Sequence, residues 1–188
     1  MFRFRSRALL LMMVALASVL PALGQQTRRE QTNPSANPAD DKKPNSDQVP
    51  DVWAVSGQFD RVVVLRFKFG ADLLAGIEKI VKEQKIRNAV ILSAAGSVRG
   101  YQVHQVSNRD LPSKNMFVKD PTQPADLISM NGYVIEGKVH AHMTMATPEH
   151  AFGGHLEPGT EVFTFGIVTL GVMKDGIDFS HLDDKSYR

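Results

Sequence analysis

The sequence predicts an α+β domain: a mixed, mostly antiparallel β-sheet carrying one main amphipathic helix. Three observations lead there. The 188-residue chain contains no cysteine, so no disulfide framework can stand in for a hydrophobic core. Beyond about Asp51 it offers many short apolar runs but a single stretch with helical periodicity. Several of those runs are separated by only a few residues, which suits antiparallel neighbours better than long crossovers.

Residues 1–24 read as an export signal. Arg3, Arg5 and Arg7 precede the apolar run Ala8 to Leu20, and Pro21 and Ala22-Leu23-Gly24 then supply a helix breaker and the small residues of a cleavage site, leaving Gln25 as the new N-terminus. An apolar run of 13 residues, at ~1.5 Å each, falls short of the ~30 Å hydrocarbon core that a spanning helix must cross. Loss of these residues lowers the formal charge from +2 to −1. The basic balance of the whole chain therefore belongs to the signal and gives no support to phosphate neutralisation. The expected location is outside the cytoplasm, periplasmic or extracellular, with no membrane attachment after cleavage.

Residues 25–50 read as a disordered linker. Val49 is their only large aliphatic residue, against four prolines, so the segment cannot bury enough apolar surface to offset its ordering entropy. Residues 51–188 then form one domain, enough chain for one core and too little for two. Arg61 to Phe69 is β-branched and aromatic, hence a strand, and Gly70 breaks it. Residues ~71–85 form the helix: Leu73, Leu74, Ile77, Ile80 and Val81 share one face, with Glu78, Lys79, Lys82, Glu83 and Lys85 on the other. Asp72 in the first turn suits the positive end of the helix dipole. Asn88 to Ala95 is a small, apolar strand closed by Gly96-Ser97, and a further strand spans Arg99 to Val106. Residues 108–125 read as a polar, proline-punctuated excursion. Strands follow at Asp126 to Met130, Gly132 to Glu136, Lys138 to Met145 and Glu161 to Met173, the last bent at Gly166 or Gly171.

The chemistry lies with the histidines. Without cysteine, a metal must be held by His, Asp or Glu. His140 and His142 sit at i and i+2 of a strand and so point to one face. Gly153-Gly154 would let the backbone turn sharply and bring His155 to the same point. Three imidazoles around a divalent metal ion, zinc first among the candidates, leave a fourth position open for water or a small-molecule ligand; nickel, ferrous iron and manganese accept the same donors. His104, His150 and His181 are rival ligands. His104 has no local partner in sequence, which favours a surface or core role for it. Arg66 and Asp72 read as an ion pair or as pocket residues.

At these residues the chain resembles the plants-and-prokaryotes-conserved (PPC) domain family. The similarity runs from Arg66 and Gly70-x-Asp72-Leu73 through Ile86, Ser93-x-x-Gly96-Ser97 and Ser129-x-x-Gly132 to His140-x-His142 and Gly153-Gly154-His155-Leu156. The resemblance implies a PPC-like α+β domain assembled as a homotrimer, with a metal bound in prokaryotic members by histidines matching His140, His142 and His155. It also implies a DNA-binding label, because plant relatives join the domain to an AT-hook. This chain has no Arg-Gly-Arg-Pro core, so no nucleic-acid partner is expected. Many relatives carry an acidic residue on the strand after the Gly-Gly-His-Leu block, where this chain reads Phe163-Thr164-Phe165-Gly166-Ile167. Glu136, Glu149, Glu157 and Glu161 are the available substitutes, each expected to be a solvated carboxylate.

Two functional readings are in play. One is an exported metal-binding or small-ligand-binding module. The other is a metal-dependent hydrolase, which would need a concave pocket beside the ion and Glu149, Glu157 or Arg66 within reach of the open position. No residue is assigned a catalytic role from sequence. There is no Gly-x-Ser-x-Gly elbow and no glycine-rich phosphate loop.

Overall fold

The computed structural model describes residues 27–32 and 48–183. The predicted signal at 1–24 lies outside them, as does most of the predicted linker. Strands β1 (Thr27–Thr32), β2 (Phe59–Phe67), β3 (Ala89–Val106), β4 (Lys114–Asp120), β5 (Ala125–Ile135), β6 (Lys138–Ala146), β7 (Ala151–Leu156) and β8 (Glu161–Met173) form one sheet, with helix α1 (Leu73–Glu83) between β2 and β3. Every strand pairing is antiparallel. No helix among the described residues is long and apolar enough to cross a membrane.

The long strand β3 organises the sheet. Its first half lies between β5 and β8, and its second half between β4 and β7. β5 pairs with β6, and β6 with β7, which returns to β3. These four strands therefore close on themselves, and β8 extends the sheet outward to β2. Alternation sorts the faces: Val103, Ala141, Met143, Met145 and Leu156 are buried on the inner side. Helix α1 adds Leu73, Ile77 and Val81, each at most 2% exposed. Asp72 is the N-cap rather than a first-turn residue; its side chain accepts from the Ala75 N–H at 2.9 Å and from the Gly159 N–H at 2.6 Å. One carboxylate thus caps the helix and anchors the loop between β7 and β8.

Five expectations are corrected. The runs 88–95 and 99–106 are one strand, and so are 126–130 and 132–136, because a glycine inside a buried strand can bend the chain without ending it. At Gly132 the backbone takes φ +139°, and a Cβ there would overlap the His140 carbonyl oxygen. The excursion at 108–125 contains β4, whose Val118 and Asn115 are buried while Phe117 is only partly so. Inside the predicted linker, Thr27–Thr32 is a strand paired along β4. Backbone hydrogen bonds to an open edge need no apolar side chains, so composition does not report them. Gly153-Gly154 is strand rather than turn.

Those two glycines are squeezed between neighbours. A Cβ on Gly153 would overlap the Met143 carbonyl oxygen, and one on Gly154 the His104 carbonyl oxygen. Gly153→Ala is therefore expected to cost about 1–3 kcal/mol, the range for overpacking. Its urea-unfolding midpoint should fall, whereas Gly70→Ala, where no atom lies within 4 Å of the added methyl, should show only the smaller cost of a positive φ.

Candidate metal centre

Strand register assembles the site. His104 on β3 pairs with His155 on β7, and His155 pairs with His142 on β6. The three residues form one row across adjacent strands, and His140 stands two residues along β6 on the same face. Their sequence neighbours Val103, Ala141 and Leu156 point inward. The imidazoles therefore line the outer side of the closed set of strands. His142 is the most exposed of the four, and the others are half-buried.

The three predicted ligands are neighbours. His140 and His142 bring their Nε2 atoms to 3.3 Å, with ring centroids 5.3 Å apart. His155 stands nearly edge-on to both, with centroids 4.9 Å from His140 and 5.2 Å from His142. Two lesser candidates from the sequence join them. His104, read from sequence as a surface or core histidine, stacks on His155 at 4.4 Å. Glu157, read as a solvated carboxylate, has a side chain only 20% exposed, with Oε1 2.5 Å from His104 Nδ1 and 3.7 Å from His155 Nδ1. Among the described residues, the one set of three metal-binding side chains whose donor atoms all lie within 4.8 Å of one another is His104, His155 and Glu157. The pairing of β7 with β3 brings them together across more than fifty residues of sequence, which local spacing cannot show.

The loop carrying Glu157 is held from three sides. Its N–H donates to the Gln102 carbonyl at 3.1 Å, and the fully buried Thr160 hydroxyl bonds back to Gln102 and Glu157. Asp72 holds Gly159. Glu157 thus supplies a carboxylate beside the histidines where β8 offers only Phe163-Thr164-Phe165-Gly166-Ile167. On the other side, Asp183 Oδ2 lies 2.7 Å from His140 Nδ1. A cavity of about 350 Å³ opens there, lined by Asn131, Tyr133, His140, His142, Leu182 and Asp183.

The remaining sequence candidates sit elsewhere. His150 is in the turn between β6 and β7, 5.2 Å from the Phe152 ring, and His181 is on the C-terminal segment. Arg66 lies over the Phe165 ring and donates to the Phe67 carbonyl. Asp72 is engaged as the helix cap.

The electrostatics suit cation binding. Burial, then the neighbouring His104, His140 and His142, push His155 down to about 4 from 6.5. Burial first and His140 next also lower His142. Both rings are therefore neutral at pH 7, with a lone pair free to coordinate. The buried His155 Nδ1 has no hydrogen-bond partner, an uncompensated polar atom of the kind a ligand would satisfy. Two neutral imidazoles, a third ring in contact and a nearby carboxylate form a donor set that fits zinc and related divalent ions.

Residues 54–174 match the model of the Plants and Prokaryotes Conserved (PCC) domain. A plant- and prokaryote-conserved (PPC) protein from Pyrococcus horikoshii is similar in structure with TM-score 0.53 and 25% identity, over 67% of this chain and 87% of that one. The metal-containing protein AF0104 from Archaeoglobus fulgidus is similar with TM-score 0.53 and 23% identity, over 64% of this chain and 86% of that one; at that identity the likeness shows the fold alone. Among curated proteins, the bifunctional protein GlmU of Synechococcus sp. (strain JA-3-3Ab) is 26% identical over 111 residues, covering 58% of this chain but 17% of GlmU. The chain thus spans only a small part of that relative's length.

The lowered His155 value gives a signed expectation for the metal-free protein. Between pH 6.5 and about 4 the unfolded chain holds more protons at this residue than the folded one, so stability falls as pH is lowered through that window. Chemical denaturation in chelator at stepped pH should show the decline, and His155→Gln, which cannot titrate, should flatten it.

Proposed function

Because the chain belongs to the Plants and Prokaryotes Conserved (PCC) domain family, we propose that it is an exported, homotrimeric module that binds a divalent metal ion, zinc first, and offers it to a small-molecule ligand. The single observation that carries this reading is the convergence of His140, His142 and His155 on one sheet face, with the Nε2 atoms of the first two 3.3 Å apart. In this reading those three imidazoles hold the ion. The name of the Archaeoglobus relative, a metal-containing protein, agrees with it. His104 and Glu157 stand behind His155, and Glu157 faces its Nδ1.

A bound zinc ion supplies an electrophilic centre that polarises a ligand oxygen or acidifies water. The chain's own residues do the rest. His140 and His142 form one wall of the cavity, while Asn131, Tyr133 and Leu182 shape the space for a small ligand. A metal-dependent hydrolase is the second form of the same function, favoured by the cavity beside His140 and His142. His104, His155 and Glu157 are an alternative ligand set, favoured by the convergence of their donor atoms.

Metal analysis of the purified protein separates these sets. After zinc loading and desalting, the wild type should retain metal and His155→Ala should lose it. Loss in His140→Ala and His142→Ala, with retention in His104→Ala, supports the three-histidine set. The opposite pattern assigns the ion to His104, His155 and Glu157. A wild type that stays metal-free refutes metal binding altogether.

The trimer is supported by an apolar outer surface: Val62 and Val64 on β2 and Phe163, Phe165 and Ile167 on β8 are 36–63% exposed. Such a patch is the kind that association buries. Light scattering should give three times the chain mass, and Val64→Lys with Phe165→Glu should give the monomer mass. Nucleic acid is not the expected partner, since the chain without its signal is slightly acidic. Export rests on the pattern of residues 1–24.

A further inference from the structure

The C-terminal segment beyond β8 does more than trail off the domain. Phe179 is 5% exposed and meets the Tyr133 ring edge-on at 6.4 Å. The side-chain amide of buried Asn88 donates to the Ile177 carbonyl at 2.8 Å, and its oxygen accepts from the Glu136 N–H at 3.0 Å. One residue thereby ties this segment to the turn between β5 and β6. The Ser180 N–H bonds to the Asp178 carboxylate, and the Leu182 N–H to the Phe179 carbonyl at 3.0 Å. These bonds make a compact turn. At its end, Leu182 joins the wall of the cavity beside His140 and His142, and Asp183 reaches His140.

We propose that Asp183 is the positioning residue for His140, its carboxylate fixing the ring so that Nε2 is presented to the bound ion. The chemistry follows from what a carboxylate can do. It accepts hydrogen bonds only, so the 2.7 Å contact requires the hydrogen of neutral His140 to sit on Nδ1. Nε2 then carries the lone pair, and it is Nε2 that lies 3.3 Å from His142 Nε2. An outer carboxylate of this kind selects the imidazole tautomer, holds the ring angle and raises ligand basicity. Asp183 comes from outside the sheet, on a turn pinned by Phe179. It thus gives the His140 side of the centre a carboxylate, as Glu157 does on the His155 side.

The inference rests on His140 being a metal ligand, so the experiment includes a readout that needs no metal. The full chain is compared as wild type, Asp183→Asn and Asp183→Glu. The Asp183 side chain is 58% exposed, so these variants should fold as the wild type does. In the metal-free protein, nitrogen-15 NMR of the histidine rings should show His140 with its hydrogen on Nδ1. Asp183→Asn should shift this toward the other tautomer, and Asp183→Glu should restore it at least in part. In the metal-loaded protein, competition with a chromophoric chelator should show zinc affinity lowered roughly 10–100-fold in Asp183→Asn. The cobalt(II) spectrum should keep the wild-type band pattern, because no inner ligand is lost.

An unchanged His140 tautomer in Asp183→Asn would overturn the proposal whether or not the protein binds metal. So would an altered cobalt coordination spectrum, which would make Asp183 a ligand itself. Failure of the wild type to take up metal, with the tautomer shift intact, would overturn the metal reading above and leave Asp183 as the residue that sets the His140 ring.

Discussion

The docking of β7 between β6 and β3 is the constraint on which the rest of the molecule depends. It closes four strands into a ring and places His104, His155 and His142 in one transverse row. It requires β7 to lie nearly backbone to backbone with both neighbours, which Gly153 and Gly154 permit because a methyl at either would strike a carbonyl oxygen. The same alternation that buries Leu156 and Met143 inside turns the histidines out. Core packing and site assembly are consequently one event, and a one-residue slip in either pairing would scatter the imidazoles to opposite faces.

Around that row the protein sets carboxylates at its margins. Glu157 is held beside His104 and His155 by a loop that Thr160, Gln102 and Asp72 fix to the helix and to β3. Asp183 faces His140 from the C-terminal turn. Burial and the neighbouring imidazoles disfavour a proton on His155 and on His142. An anionic rim with a neutral, lone-pair-rich centre is an arrangement that favours a cation over a second proton.

Much of this was legible in the chain. The helix follows from the spacing of Leu73, Ile77 and Val81, whereas Asp72, read as a first-turn residue, is its cap. His140-x-His142 implies a shared face because strand geometry has period two. The glycines beside His155 marked an unusual backbone, although they serve close approach and not a turn. His104 and Glu157 rank below the other candidates in sequence because their partners are remote: nothing near His104 in sequence indicates that β7 will lie beside it, and a glutamate after a strand looks solvated until Gln102 and Thr160 confine its loop. Strand β1 is an edge pairing made by backbone groups and only lightly encoded in side chains, and β4 is masked in the sequence by the polar, proline-punctuated segment around it although it buries Asn115 and Val118.

Periodicity and composition determined on their own that the chain would build a mostly antiparallel sheet with one helix and present two histidines to one side of a strand. Those properties are local: each depends on the period of one element or on residues close together in the chain. Which further side chains join the cluster, which carboxylates face it and where a cavity opens beside it were decided only by the tertiary structure. They depend on register between strands far apart in sequence, and register is a property of the packed sheet rather than of any one strand.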